Sequence, residues 1–450
     1  MADIAASGTG VEDRPITHAR VLKIAVPIVL SNATVPILGA VDTGVIGQMG
    51  AAAPIGAVGI GAIILSSLYW VFGFLRMGTT GLAGQALGAG RHAEVTAILT
   101  RAVLIGAAGG ALLIVLQLPL FAGAFAVSPA SDEVETLARQ YMGVRVWSAP
   151  AAIAIYGVTG WLIAQERTRA VLVLQLWMNG LNIALDLWFV LGLGWGVRGV
   201  ALATFLAEWS GLALALWLCR GAFIGPAWRD WARVFDGQRL KRMMTVNLDI
   251  LIRSLALMSV FVTFVFVGSD FGDVTLAANQ ILLQFIEITA FALDGFAFAA
   301  ESLVAQAVGA ASVPRLRRAV WLAGVWSGIG ALALAALFLF GGGALIDLMT
   351  TAEGVRVAAR GYLVVMALVP ILGAASWLLD GVFIGATRTA DMRNMALLSA
   401  AIFAVIAVVL IPIYGNAGLW AAFLASFVAR GITLAIRYPA LERATAAGAL

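Results

Sequence analysis

Twelve stretches of this 450-residue chain are long and apolar enough to cross a bilayer, and that constrains the fold more than any other feature. A hydrocarbon core about 30 Å thick takes roughly 20 consecutive apolar residues as a helix. Within it the backbone must satisfy its own polar groups, which for stretches of this length means α-helices. We place the spans at 19–46, 56–82, 96–127, 137–165, 170–194 and 197–220, then at 241–268, 275–308, 316–340, 356–386, 392–414 and 416–437. Little chain is left for a soluble domain. The composition agrees: 62% of residues are apolar and 12% charged, with a mean hydropathy of +0.99, a balance that needs lipid around it. The first twenty residues are mixed and polar, without a short apolar region ending in a cleavage site, so helix one is expected to act as an uncleaved membrane signal.

Basic residues gather in the even-numbered connections: Arg91; Arg167 and Arg169; Arg220, Arg229, Arg233, Arg239, Lys241 and Arg242; Arg315, Arg317 and Arg318; Arg388 and Arg393. The odd-numbered connections hold few, such as Arg198 and Arg356, and carry Asp132, Glu133, Asp270, Asp273 and Glu353. The positive-inside rule then places both termini in the cytoplasm of a bacterial-type inner membrane. The net charge of +4 reads as this topological bias. Basic residues scattered over short loops do not suit a nucleic acid. Cys219 is the sole cysteine, so disulfides play no part.

An internal repeat sets the architecture. Gln85-Ala-Leu-Gly-Ala-Gly90 recurs as Gln306-Ala-Val-Gly-Ala-Ala311, and Ile163-Ala-Gln-Glu-Arg-Thr-Arg169 as Ile384-Gly-Ala-Thr-Arg-Thr-Ala390, both shifted by 221 residues. An even number of helices separates the copies, so the halves share one orientation and the cleft between them is the natural substrate path. The expected layout is a cytoplasmic tail (1–18), an N-lobe of helices one to six (19–220), a linker (221–240), a C-lobe of helices seven to twelve (241–437) and a C-terminal tail (438–450). The linker, with Pro226, Trp228, Trp231 and several arginines, is expected to be an amphipathic segment at the inner surface.

A charge at mid-bilayer costs about 2.5–3.5 kcal/mol on insertion scales, so each one needs a partner, a water-filled cavity or a function. Asp42 lies toward the outer end of helix one, after Pro27 and Pro36, each of which removes a helix hydrogen bond. In helix five Asp186 follows Asn182 by one turn on the same face. A carboxylate and an amide oxygen suit a hard cation such as Na⁺, and a carboxylate can equally carry H⁺; the pattern does not choose between them. Two purely structural hydrogen bonds to neighbouring helices would use the same pair. Helix eight carries Glu287, Asp294 and Glu301 at seven-residue spacing, within about 40° on one face, which should look inward. Asp294 with Phe296 and Phe298 could offer charge and apolar contact to a lipophilic organic cation. The bland reading pairs these acids with Arg253 or Arg76, and Glu301 suits that best. Helix seven has Asn247, Asp249 and Arg253, with Asp249 and Arg253 one turn apart and expected to pair with each other; helix ten has Asp380, and helix six has Thr204 and Glu208.

Other signals fall away. Gly194-Trp-Gly-Val-Arg-Gly199 has dinucleotide-type spacing but no strand before it. The GxxxG pairs Gly106/Gly110 and Gly324/Gly328 are expected to let helices three and nine pack closely. Lys23 and Lys241 are the only lysines and neither sits in an ATP-binding loop, while His18 and His92 are isolated. No cofactor is therefore expected beyond a coupling ion, and no nucleophile or metal constellation supports an intramembrane enzyme.

Pro27…Asn32…Pro36…Gly39-Ala-Val-Asp-Thr-Gly-Val-Ile-Gly47 resembles the first helix of MATE (multidrug and toxic compound extrusion) transporters. Phe74-Leu-Arg-Met-Gly-Thr-Thr-Gly81, Asn247-Leu-Asp-Ile-Leu-Ile-Arg253, Leu293-Asp-Gly-Phe-Ala-Phe-Ala-Ala-Glu301 and Leu379-Asp-Gly-Val-Phe-Ile-Gly-Ala-Thr-Arg388 resemble its DinF branch, in order and over nearly the whole chain. The resemblance implies two six-helix lobes around a V-shaped cleft, alternating access, and export of small molecules in exchange for H⁺ or Na⁺. It also implies a cation site at Asp42, Asn182, Asp186 and Thr204, with Tyr141 near it. A helix-one tyrosine that some members have one turn before the aspartate is Leu38 here. Other branches place the key acids on helices seven and ten, where Asp249 and Asp380 are nearest. Substrate-cavity candidates are thus Tyr141, Asn32, Glu287, Asp294 and Phe298, and Asn247, Asp249, Arg253, Glu301 and Asp380 form a C-lobe polar network. The expected activity is a monomeric antiporter for organic, lipophilic cations. The alternative is a flippase for a lipid-linked precursor, which would want a strongly basic cleft.

Overall fold

The computed structural model describes residues 15–48, 52–127 and 131–448. Among them twelve helices are long and apolar enough to span a membrane. They are α1 (His18–Gly47), α2 (Ala52–Gly88), α3 (His92–Val115), α4 (Asp132–Ala164), α5 (Thr168–Gly192), α6 (Gly196–Leu218), α7 (Gly237–Ser269), α8 (Asp273–Gly309), α9 (Val313–Met349), α10 (Leu363–Gly385), α11 (Thr389–Tyr414) and α12 (Asn416–Ala446).

Several segments differ from the sequence reading: the ninth helix runs on to Met349, and the tenth begins at Leu363 after a separate short helix, Glu353–Arg360. The third span ends at Val115, and a separate helix runs Gln117–Val127, because Pro119 has no N–H to return to the carbonyl of Val115. The last helix continues to Ala446, where Arg437 pairs with Asp391 at 2.7 Å and Arg317 holds both oxygens of Glu442 at 2.8 Å. The linker is not one amphipathic segment. It makes two 3₁₀ turns, Arg220–Phe223 and Pro226–Arg229, and one helical turn, Trp231–Val234. Arg101 of α3, 3% exposed, clamps it from beneath, donating from Nε to the carbonyl of Val234 at 2.8 Å and from Nη2 to that of Arg233 at 2.5 Å. Glu94 neutralises Arg101 at 2.7 Å and also binds Arg239. Unpaired carbonyls at the end of a short turn need donors, and a buried arginine supplies them here.

The chain divides into two compact units. One takes the described residues up to Val29, Gly84–Gly90 and those from Arg242 onward; the other takes Leu30–Ala83 and Arg91–Lys241. The first has an aromatic centre in which Phe264 meets Trp420 at 4.6 Å and Phe423 at 4.9 Å, and Phe285 meets Phe338 at 4.9 Å between ring centroids. The one polar atom of the Trp420 ring donates to Asn279 Oδ1 at 2.9 Å, so the buried indole leaves no orphan.

The repeat is visible in the backbone. Gly90 and its counterpart Ala311 both adopt positive φ, 69° and 50°, as do Glu166 and Thr387 at 60° and 50°. Each ends a helix in the left-handed region and lets the chain turn into the next one. At the second pair the bonds also match: Arg167 N–H to Leu162 O at 2.9 Å, and Arg388 N–H to Phe383 O at 3.0 Å.

Within the first unit the two copies of the glutamine motif pack on each other. A Cβ built on Gly88 would overlap the carbonyl oxygen of Gln306, and one on Gly309 would overlap that of Gln85. The side chains are spoken for: Gln85 donates to Thr387 Oγ1 at 3.0 Å and accepts from Arg242 at 2.9 Å, while Gln306 accepts from Arg20 at 3.1 Å. The expectation for Gly106 and Gly110 holds, since both face the backbone of α4 at Ala154 and Pro150. For α9 it fails. Gly324 meets only a leucine methyl, and Gly328 faces open space.

Gly88→Val and Gly309→Val should therefore each lower the melting temperature of the purified protein, by a loss of about 1–3 kcal/mol from overpacking, while Gly328→Ala changes it little. Cys219, just past the end of α6, is wholly buried, and burial pushes its thiol up to about 12. Only about one thiol in ten thousand would be the reactive thiolate at pH 8. N-ethylmaleimide at pH 8 should leave the folded protein unmodified and add one mass unit of label after denaturation in SDS; rapid labelling of the folded chain would contradict this burial.

Candidate functional site

A polar seam runs along one face of α5. Gln175, Asn179, Asn182 and Asp186 recur at helical spacing, so all four side chains share that face. Asn182 is 1% exposed and Asp186 0%. Asn182 Nδ2 donates to Asp186 Oδ2 at 2.9 Å and approaches Thr204 Oγ1 of α6 at 3.4 Å; the Thr204 hydroxyl in turn donates to its own helix at Val200 O, 3.1 Å away. One turn earlier, Gln175 donates to Asn179 Oδ1 at 3.1 Å, and Asn179 donates to Thr34 Oγ1 of α1 at 2.8 Å. The Thr34 hydroxyl donates in turn to the carbonyl of Ser31 at 2.7 Å. The seam thus stitches α1, α5 and α6 within the second unit.

Three of the four residues expected to form the cation site are brought together. The fourth, Asp42, has its backbone in α1, but its side chain lies outside the described residues. Asn182 Oδ1 is buried and accepts no hydrogen bond among the described residues. An oxygen left bare beside a carboxylate and a hydroxyl is a ligand set that a hard monovalent cation fits. Immediately after Asp186 the helix loosens into a π-helical turn, Leu187–Gly192, closed by Leu193 N–H on Trp188 O at 3.0 Å. Such turns recur at functional sites because they interrupt the regular backbone ladder.

A second charged centre occupies α4 and α6. Arg145 pairs with Glu208 at 2.8 Å, both side chains about nine-tenths buried, and also donates to Ser148 Oγ at 2.8 Å. Tyr141, one turn before Arg145, hydrogen-bonds that guanidinium, and the Tyr69 hydroxyl donates to the Arg145 carbonyl at 3.1 Å. Tyr141 is therefore anchored to this pair, and Glu208 stands one turn from Thr204 on the same face of α6. Removing one partner of such a buried pair costs about 3–5 kcal/mol.

In the first unit, of the five residues expected to form a C-lobe polar network, Arg253 and Asp380 pair, and Asp249 pairs differently from the expectation. Asp249 and Arg253 do not pair with each other. Asp249 accepts from Arg393 at 2.5 Å and from Thr389 at 2.9 Å, both on α11. Arg253 pairs with Asp380 of α10 rather than with the acids of α8. The one-turn spacing allows the contact, yet neighbouring helices offer each group a better-aligned partner. Along α8, burial increases from Glu287, which is exposed, through half-buried Asp294 and Phe298 to Glu301 at 1%. Asn247 is buried at 3%, and Asn32 on α1 is half-buried.

Gln175, Asn179, Thr34 and Arg145 were not singled out in the sequence. The first two had a readable signal, amides at the same spacing as Asn182 and Asp186. Arg145 had none, since it sits in the moderately polar first half of α4.

The comparisons agree with this architecture. The MatE family model matches residues 27–188 and again 250–413, once in each half and together well over half of the chain. DNA damage-inducible protein F of Escherichia coli (strain K12) is 37% identical over 92% of this chain and 90% of its own length. A probable multidrug resistance protein NorM of Xanthomonas campestris pv. campestris is 25% identical over 75% of this chain and 74% of its own. Among solved structures, the Vibrio cholerae MATE transporter VcmN in the bent form superposes with a TM-score of 0.87 over 96% of this chain and 98% of its own, at 19% identity. With twelve membrane-length helices and the family model matched once in each half, the chain is a multi-pass membrane protein that belongs to the MatE family of transporters, on its DinF branch.

Proposed function

We propose that this transporter is a secondary antiporter that exports organic, lipophilic cations in exchange for H⁺ or Na⁺ by alternating access, acting as a monomer with both termini in the cytoplasm. The observation that carries the reading is the seam on α5, where Asn182, Asp186 and Thr204 meet with one buried amide oxygen to spare. The NorM relatives, named as probable multidrug resistance proteins, support the class of cargo. The lobes are residues 19–220 and 241–437. Asp42 takes up the ion in the outward-open state, with Asn182, Asp186 and Thr204 completing its shell. Ion uptake loosens the α1–α5 stitch at Thr34 and Asn179, and α1 bends at Pro36, where the helix already lacks a hydrogen bond. Substrate then leaves as the cavity narrows. Acids on α8 with Phe298 beside them hold the cation beforehand. One-for-one exchange with a monovalent cation moves no net charge, so the concentration gradient of the coupling ion drives it, each tenfold of that gradient supplying about 1.4 kcal/mol.

Proteoliposomes loaded with ethidium and given a pH gradient without Na⁺ test this. Wild type should move dye and Asp42→Asn should not. If movement starts only when Na⁺ is added, Na⁺ is the coupling ion, and Asn182→Ala should then raise the Na⁺ concentration at half-maximal rate about tenfold or more, the worth of one ligand contact. Wild-type rates in both variants would remove the seam from the mechanism. Failure of every condition to move dye would shift weight to a lipid-linked cargo.

A further inference from the structure

One cluster between helices of the C-lobe holds two arginines and a single carboxylate. Arg253 of α7 and Arg430 of α12 both converge on Oδ2 of Asp380, the second at 3.5 Å, and Asp380 is the one carboxylate among the described residues that pairs with either. Arg430 is 5% exposed and Asp380 4%, and the Arg253 side chain is 11% exposed. Asp249, one turn from Arg253, is already committed to Arg393 and Thr389. Arg430 spends one further donor on Ser376 Oγ at 3.1 Å and lies over the Phe427 ring, 5.4 Å from its centroid. The buried Nε–H groups of both arginines and the Asp380 Oδ1 atom make no hydrogen bond among the described residues, and it is the Arg430 Nε that approaches Asp380 Oδ2 at 3.5 Å.

Two guanidiniums that share one carboxylate oxygen leave this cluster a net charge of +1 between membrane helices, with the Arg253 Nε–H unmet and the Arg430 Nε–H held only by a long ion pair to Asp380. A lone positive charge there is costly, and an unmet buried donor adds to the cost. Both costs vanish if one negative charge sits against the two Nε–H groups. Guanidinium geometry matches the oxygens of carboxylates and phosphates, and a single spare positive charge is balanced by a monoanion, for which a halide is the simplest probe.

We propose that Arg253 and Arg430 form a monoanion site, filled by an inorganic halide or by the carboxylate of an amphiphile, with Asp380 as the built-in competitor for the same two guanidiniums. The site is separate from the seam on α5 and stands whether or not that seam couples transport.

Purified protein is melted in chloride, bromide and methanesulfonate at fixed ionic strength, and crystals are soaked in bromide. Chloride and bromide should raise the melting temperature saturably where methanesulfonate does not, with an anomalous bromide peak beside Arg430 Nε. Arg430→Gln should abolish the saturable rise. Asp380→Asn removes the competing charge and should tighten the apparent bromide affinity at least about tenfold, a direction that a purely structural ion pair does not predict. Decanoate that displaces bromide identifies a carboxylate as the natural occupant, and bromide that stays identifies an inorganic ion; either supports the site. The proposal is overturned if wild type shows no saturable halide effect and no bromide peak, if the effect persists in Arg430→Gln, or if folded Asp380→Asn binds bromide more weakly.

Discussion

Hydrocarbon offers no hydrogen bonds, so each polar group carried into the membrane must find its partner within the protein. That requirement organises everything in this transporter beyond the helices themselves. The amides and carboxylate of α5 form two hydrogen-bonded runs on one face, from Gln175 through Asn179 to Thr34 and from Asn182 to Asp186 and Thr204. The same rule draws Arg145 to Glu208 and Asp249 to Arg393. Among the described residues the rule is left incompletely met at several buried atoms, among them Asn182 Oδ1 on α5 and the two Nε atoms beside Asp380. An amide oxygen and a guanidinium N–H call for partners of opposite sign, and the two places lie on different sets of helices.

Much of the architecture was legible in the chain because membrane helices are written in length and hydropathy, which need no knowledge of neighbours. Twelve spans were read and twelve are found among the described residues. The repeat was equally plain, since Gln85–Gly90 and Gln306–Ala311 share their letters. Partners were harder. Asp249 and Arg253 sit one turn apart, and a single helix considered alone pairs them; the choice of Arg393 and Asp380 instead depends on which helices come alongside. A break such as the one at Leu116 was signalled by Pro119, whereas the clamp of Arg101 on the linker carbonyls joins residues more than a hundred positions apart and leaves no local trace.

The site was legible in a similar proportion. Asn182 and Asp186 declare themselves by their spacing, and Thr204 joined them through family resemblance, since a lone threonine in a membrane helix more often bonds its own backbone. It does both, keeping Val200 while meeting Asn182. Tyr141 shows the limit of such transfer: its side chain is hydrogen-bonded to Arg145, a residue that no pattern in the sequence had marked.

The crossing of the two glutamine motifs has a further consequence. Gly88 rests on the Gln306 carbonyl and Gly309 rests on that of Gln85, so one patch contacts its own copy. This is the isologous geometry of a two-fold dimer, in which any change to the patch acts on both sides at once. Carried on a single chain, the two copies are free to diverge, and they have done so around the contact: Gly90 has become Ala311, and Gln85 takes Arg242 and Thr387 as partners where Gln306 takes Arg20. Covalent linkage thus turns a symmetric joint into one whose two sides can be tuned separately, and that is a condition for a machine whose halves do different work.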